Sequence, residues 1–372
     1  MSATASSPTA APAQSGHDPV TLASAPATLD PRTPPIELLR LIGPDGERAA
    51  AAPPALTLDQ SLAYCRALAT THYENFSILS RLVPVHLRDD FAAVYTFCRW
   101  ADDLGDETGN TPEARARSER LLAWWRAELQ NCFAVPPASV PAPTHPVYIA
   151  LRETARRHPH LTPGPFEDLI DAFVQDQRVG TEGNRYKTWD QILDYCSRSA
   201  NPVGRIVLTL GGHAPPEVDP ANAERYAMSD ATCTALQLIN FWQDVRRDLL
   251  ERDRIYIPEL GPGGHPTGIT PELLRAWINT PNDPRARVPF IKGLRPLVDT
   301  TADLFDQGRP LPQTLNKGLR PVVWLFGAGG EAILRAVRSM GCATLWHRPR
   351  LAASEKAWLV ARAWLKSKAN SE

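Results

Sequence analysis

A chain of 372 residues with 43% hydrophobic side chains has room for one large domain or two ordinary ones and can bury a substantial core. Its formal net charge of -1 leaves no basic footprint, which excludes bulk nucleic-acid binding and requires any anion to be met locally. The six cysteines, Cys65, Cys98, Cys132, Cys196, Cys233 and Cys342, never fall in a C-x-x-C spacing, so they read as buried free thiols of a reducing compartment.

No charged-then-apolar leader opens the chain, and no apolar run reaches the ~18 residues of a spanning helix. The expectation is a soluble protein, or at most one that lies on a membrane. Residues 1 to 55 are dominated by Ala, Pro, Ser and Thr and read as a disordered tail, because such a composition buries too little to offset its ordering entropy. One apolar island, residues 36–42, is either a docking peptide or a short contact against the body. Asp18, Asp30, Glu37 and Asp45 disfavour a transit peptide.

Helical periodicity begins near Leu56, where Thr57 or Asp59 can cap, and Pro84 punctuates it. A second pattern runs from Leu87 through Phe91, Val94, Tyr95 and Cys98 to Arg99, Asp102 and Asp106. Further patterns cover 119–132, 147–158, 166–179 and 189–210, the last interrupted by Asn201-Pro202, which predicts a kink or a plain break. A long pattern then starts near Asn222, followed by a short helix at 271–278 and longer ones at 288–307, 321–340 and 352–367. No alternating run is long enough for a sheet and no repeat is present, so the fold class is all-α.

Two acidic rows stand out. Asp102 and Asp106 are four residues apart, as are Asn240, Asp244 and Asp248, so each row shares one helical face. The first row lies at the end of its helical pattern, where the macrodipole opposes carboxylates, which suggests a compensating cation. If a helical bundle brings the rows together, the carboxylates cannot all stay ionised without such a cation. Hard oxygen donors with no neighbouring His or Cys favour Mg²⁺, an ion usually shared with substrate phosphates. A di-iron bundle would need Glu-x-x-His pairs, which are missing. Arg99, Lys187 and Arg254 are candidates for the remaining phosphate oxygens, and Tyr73, Phe76, Phe97, Tyr195, Leu208 and Phe241 for walls around a greasy chain.

The motifs His72-Tyr-Glu-Asn-Phe-Ser77, Tyr95-Thr-Phe-Cys-Arg-Trp-Ala-Asp-Asp-Leu-Gly-Asp106, Tyr195-Cys-Ser-Arg-Ser-Ala-Asn-Pro-Val-Gly204 and Gln237-Leu-Ile-Asn-Phe-Trp-Gln-Asp-Val-Arg-Arg-Asp248, followed by Asp253-Arg-Ile-Tyr-Ile-Pro258, resemble the squalene/phytoene synthases. The resemblance covers about residues 56 to 345 and implies the isoprenoid synthase helical bundle with a central cavity, residues 346–372 forming a C-terminal helix and tail. It implies Asp102/Asp106 and Asp244/Asp248 as magnesium motifs, with Asn240 beside the second. Arg99, Arg254 and Tyr256 are then expected at the diphosphates, and His72, Asn75, Phe76, Tyr195, Val203, Gly204 and Gln237 around the hydrocarbon. The implied partner is a prenyl diphosphate substrate, handled in the cytoplasm or at the inner face of a membrane beside other enzymes of the pathway.

Departures from the usual motifs point to a subfamily. Glu74-Asn75 replaces a Lys-Ser, Asn201-Pro202 interrupts an Ala-Gly run, and Gln243 replaces an Arg. Fewer cations suit one diphosphate better than two, and Asn201 is expected to position a water in an otherwise apolar pocket. The pattern is similar to bacterial hydroxysqualene synthases, which convert presqualene diphosphate and water to hydroxysqualene and diphosphate. The absence of a glycine-rich dinucleotide fingerprint agrees with a reaction that uses no nicotinamide. The alternatives are a head-to-head condensing synthase and a non-catalytic lipid-binding or assembly protein; intact aspartate rows disfavour the latter.

Overall fold

The first long helix of the body, Leu58–His72, opens on a reciprocal cap: the Thr57 Oγ1 accepts from the Gln60 N–H at 3.2 Å, and the Gln60 Oε1 accepts from the Thr57 N–H at 2.9 Å. Two N–H groups that a helix start strands are satisfied together, which makes Thr57 the cap and not Asp59. The computed structural model describes residues 29–44, 56–72, 82–109, 111–134, 143–178 and 185–368.

The helices in chain order are α1 (Pro35–Ile42), α2 (Leu58–His72), α3 (Arg88–Asp106), α4 (Pro112–Phe133), α5 (Pro146–Arg157), α6 (Gly164–Arg178), α7 (Trp189–Ser199), α8 (Asn201–Leu210), α9 (Ala223–Glu251), α10 (Pro271–Trp277), α11 (Pro284–Gly308), α12 (Leu311–Thr314), α13 (Arg320–Ser339) and α14 (Ala353–Lys368). Among the described residues there is no strand, only an isolated bridge between Leu260 and Pro266, in line with the all-α expectation. No helix among them is long and apolar enough to cross a membrane.

Two alternatives that the sequence left open are decided. The apolar island inside the expected disordered tail is α1, which buries Leu38, Leu39 and Ile42 against α3, so it is a contact with the body. Residues 1–28 and 45–55 of that tail lie outside the described residues. At Asn201-Pro202 the chain breaks instead of kinking: Ala200 leaves the helical region at φ -130°, and α8 restarts with Pro202 in its first turn. A proline there has no helical hydrogen bond to lose.

Two aromatic cores flank the middle of the bundle. On the N-terminal side Phe97, Trp100, Trp125, Tyr148 and Phe166 are fully buried, with Trp100 and Trp125 stacked at 5.5 Å. On the other side Tyr195, Phe241, Trp242, Tyr256 and Phe290 gather around α9. Helix α9, 29 residues long, spans about 43 Å and runs along α11, α8 and α13, so one rigid rod carries the second acidic row through the centre of the molecule.

Candidate active site

The two acidic rows face one cavity. Asp102 and Asp106 of α3 and Asn240, Asp244 and Asp248 of α9 line a space of about 500 Å³ that also receives Arg99, Asp176, Tyr195, Val203, Gln237, Arg252, Arg254 and Tyr256. Each row arises from the helical repeat, because residues four apart project from the same side. Packing of α6 against α3 and of α7 against α9 then closes the walls.

Arginines partner the carboxylates throughout. Asp106 accepts from Arg252 and Arg254, both at 2.9 Å. Asp244 is forked by Arg348, whose Nη2 lies 3.0 Å from Oδ2, and Arg247 stands 4.0 Å away. Arg99 pairs with Asp103 and, at 3.5 Å, with Asp102. Even so, the negative charge is crowded. Burial and repulsion from Asp106 raise the Asp102 carboxyl above its ordinary range, and burial together with Asp244 pushes Asp248 up to about 7. Walls that strip water from neighbouring carboxylates favour protonation unless a cation enters.

Below the charged rim is an aromatic wall. Phe241 and Tyr256 stack at 3.9 Å, and Tyr195 lies about 6 Å from both. The hydroxyls converge on Asp176: Tyr195 donates at 2.8 Å, Tyr256 at 3.4 Å, and Arg254 approaches at 3.6 Å. Burial still pushes the Asp176 carboxyl up to about 6 against these opposing contacts. One turn beyond Tyr195 on the same face is Ser199, a cavity residue whose buried Oγ has no hydrogen-bond partner among the described residues. A buried hydroxyl left unpaired costs about 1–3 kcal/mol, so Ser199 would gain from any polar partner that reached it.

Residues 69–355 match the squalene/phytoene synthase family profile, most of the chain. The chain belongs to the squalene/phytoene synthase family. It is 35% identical over 187 residues to a hydroxysqualene synthase of Zymomonas mobilis, covering 50% of this chain and 54% of that protein. It is 32% identical over 208 residues to a phytoene synthase of Arthrospira platensis, covering 54% of this chain and 62% of the relative. The chain thus spans between half and two thirds of the length of these curated relatives. Among solved structures it is similar to a squalene synthase, HpnC, from Alicyclobacillus acidocaldarius, with 37% identity, a TM-score of 0.59 and coverage of 76% of this chain and 95% of that one. A dehydrosqualene synthase in complex with ligand superposes with a TM-score of 0.60 at 20% identity, covering 84% of this chain and 98% of that one, which shows the shared fold.

Of the residues that the family motifs single out, Arg99, Asp102, Asp106, Tyr195, Val203, Gln237, Asn240, Asp244, Asp248, Arg254 and Tyr256 all reach the cavity. Asn201 and Gly204 do not line it. Asn201 is buried and its Oδ1 accepts from the Thr234 Oγ1 at 2.9 Å, so its polarity ties α8 to α9 instead of facing the hydrocarbon space. Gly204 lets the same helices approach, since a Cβ there would meet the Ser229 Oγ and would lie 2.7 Å from the Cys233 Sγ. Lys187 is exposed on a connecting segment and does not line the cavity. Glu74, Asn75 and Phe76 and the His72 side chain lie outside the described residues.

Gln243 carries a correction. It is buried and its Nε2 donates to the Pro349 carbonyl at 2.7 Å, which anchors the segment that delivers Arg348 to Asp244. The loss of an arginine at position 243 therefore does not leave this end of the site short of cations. Sequence reasoning missed Arg348, which is 104 residues from its partner, as well as Arg252 and Ser199. Spacing along the chain does show Ser199, at i+4 from Tyr195 and i-4 from Val203; Arg348 left no such local trace.

Proposed function

We propose that this chain is a hydroxysqualene synthase that converts presqualene diphosphate and water to hydroxysqualene and diphosphate in the cytoplasm. The observation that carries the reading is the convergence of the two acidic rows over one cavity whose wall is built by Tyr195, Phe241 and Tyr256. A carbocation quenched by water needs a polar group to hold that water, and Ser199, between Tyr195 and Val203 on the wall, is the residue we assign to it. Several relatives are named hydroxysqualene synthase, and this supports the choice within the family.

The donor set fits magnesium. No three His, Cys, Asp or Glu groups among the described residues close on a single point. Magnesium, however, commonly takes only one or two carboxylates and completes its shell with water and phosphate oxygens. Asp102, Asp106, Asn240, Asp244 and Asp248 would hold it, and when bound it would neutralise the leaving diphosphate. The chain's own residues do the rest. Arg99, Arg252, Arg254 and Arg348, now engaged with aspartates, can turn from those partners to diphosphate oxygens. The C–O bond then breaks with its electron pair on the diphosphate. The cyclopropylcarbinyl cation rearranges against Tyr195, Phe241 and Tyr256, whose ring faces favour positive charge. Water held by Ser199 adds to the cation through an oxygen lone pair, and the proton it loses passes to the released diphosphate, giving the alcohol.

Purified protein incubated with presqualene diphosphate and magnesium is expected to release hydroxysqualene. Consumption of farnesyl diphosphate with no alcohol product would overturn this reading in favour of a head-to-head condensing synthase, the activity that the phytoene synthase relatives favour. Ser199→Ala should lower the alcohol share of the product about tenfold, the equivalent of one hydrogen bond, while substrate is still consumed.

A further inference from the structure

Asp244 lines the cavity from the second acidic row, yet both of its carboxylate oxygens are covered. Arg348 forks them, with Nε on Oδ1 and Nη2 at 3.0 Å from Oδ2, whereas Arg247 stands off at 4.0 Å. Arg348 does not itself line the cavity and meets the site only through this carboxylate. Of Arg99, Arg252, Arg254 and Arg348 it has the most exposed side chain, 41% against 8% for Arg254. Its backbone, by contrast, is pinned on both sides. Two residues earlier the Trp346 Nε1 donates to the Trp277 carbonyl at 2.9 Å and the ring stands edge-on to Phe290 at 5.3 Å; one residue later the Pro349 carbonyl accepts from Gln243 at 2.7 Å. Only the guanidinium is then free to swing, about a base that packing holds in place.

A guanidinium fork and a magnesium ion compete for one carboxylate, because the fork uses both oxygens and magnesium demands a near-ideal octahedral shell. Asp244 can serve the metal fully only if Arg348 lets go, and letting go leaves a guanidinium without an anion. A diphosphate removes that cost, since it offers the fork a second bidentate partner. We propose that Arg348 is a switching residue that couples the two ligands of the site: it guards Asp244 until a diphosphate draws its guanidinium away, and only then leaves the carboxylate open to magnesium. Such coupling is reciprocal, so each ligand strengthens the other by the same factor. Metal alone is held weakly, and the site tightens when metal and diphosphate are present together. The inference rests on the magnesium and diphosphate reading of the cavity and does not depend on which prenyl diphosphate is turned over.

The test is calorimetric titration of the full chain with magnesium, with and without saturating inorganic diphosphate, corrected for magnesium–diphosphate association in solution. In the parent, diphosphate is expected to raise the magnesium affinity at least about tenfold. Arg348→Gln should bind magnesium alone about threefold more tightly, the worth of a half-exposed ion pair, while the enhancement by diphosphate falls about tenfold. Arg348→Lys, which keeps the charge and loses the fork, should show both changes at smaller size. A brace that merely orients Asp244 predicts the opposite sign, so weaker binding of magnesium alone by Arg348→Gln would overturn the proposal. An enhancement by diphosphate that Arg348→Gln leaves intact would overturn it too, as would parent behaviour in Arg348→Lys, because charge alone would then suffice. If the parent itself binds neither magnesium nor diphosphate, the metal reading of the cavity fails and the switch with it.

Discussion

At the scale of single residues, the site is governed by the cost of holding charge away from water. Asp102 and Asp248 are each crowded by burial and by a neighbouring carboxylate, so they gain most from an entering cation. Asp102→Asn should preserve the fold and lower kcat by about 10² to 10³, a loss typical of removing one preorganised electrostatic partner, as read in steady-state turnover of presqualene diphosphate. A second residue titrates far from the chemistry. His145 is buried edge-on against Trp100 and Trp125, at 4.6 and 5.0 Å, and burial pushes its imidazole down from 6.5 to about 3. The unfolded chain therefore takes up this proton well before the folded one does. Stability from His145 is complete above pH 6.5 and is lost as pH falls towards 3, by about 1.4 kcal/mol per pH unit. In His145→Asn, which can still cap α5, urea midpoints are expected to fall less steeply than those of the parent between about pH 6 and pH 4.

At the scale of elements, the placement of helices depends on positions that only a small side chain can occupy. Gly293 in α11 sits against the segment that follows Tyr256, and a Cβ there would overlap the Thr267 carbonyl oxygen and lie 2.9 Å from the Ile269 Cδ1. Backbone cannot turn aside as a side chain can. Gly293→Ala should cost about 1–3 kcal/mol in urea unfolding through overpacking, with a rise in KM because the segment carrying Arg254 and Tyr256 shifts with it. The break at Ala200 belongs to the same scale: proline spacing announced it, but α8's role as a spacer tied to α9 through Asn201 and Thr234 depends on two helices meeting. Periodicity located nearly every helix, including both ends of α5 to within a residue and the start of α9. It could not show that residues 36–42 fold onto α3, since a short amphipathic stretch looks the same whether or not a partner surface exists.

At the scale of the whole molecule, the cavity lies between two aromatic cores, so a ligand that bridges α3 and α9 ties the halves together. Magnesium with inorganic diphosphate is expected to bind the folded state alone and, at a hundredfold excess over its dissociation constant, to stabilise it by about 2.7 kcal/mol. Differential scanning calorimetry should show this as a rise in Tm of several degrees that chelation by EDTA reverses. Magnesium alone should give a smaller rise, because the arginines already neutralise part of the carboxylate charge.

By itself the sequence determined the helical class, the two acidic rows and the family, because each is written in local spacing: side chains four residues apart share a face wherever the helix lies. Tertiary structure decided which charges meet. Arg348 reaches Asp244 and Arg254 reaches Asp106 across 104 and 148 residues of chain. Asp176 becomes a buried hub for Tyr195 and Tyr256, whereas Asn201, expected at the water, faces Thr234. Those outcomes follow from helix packing, which fixes the direction in which each face points and cannot be read from the spacing within any one helix.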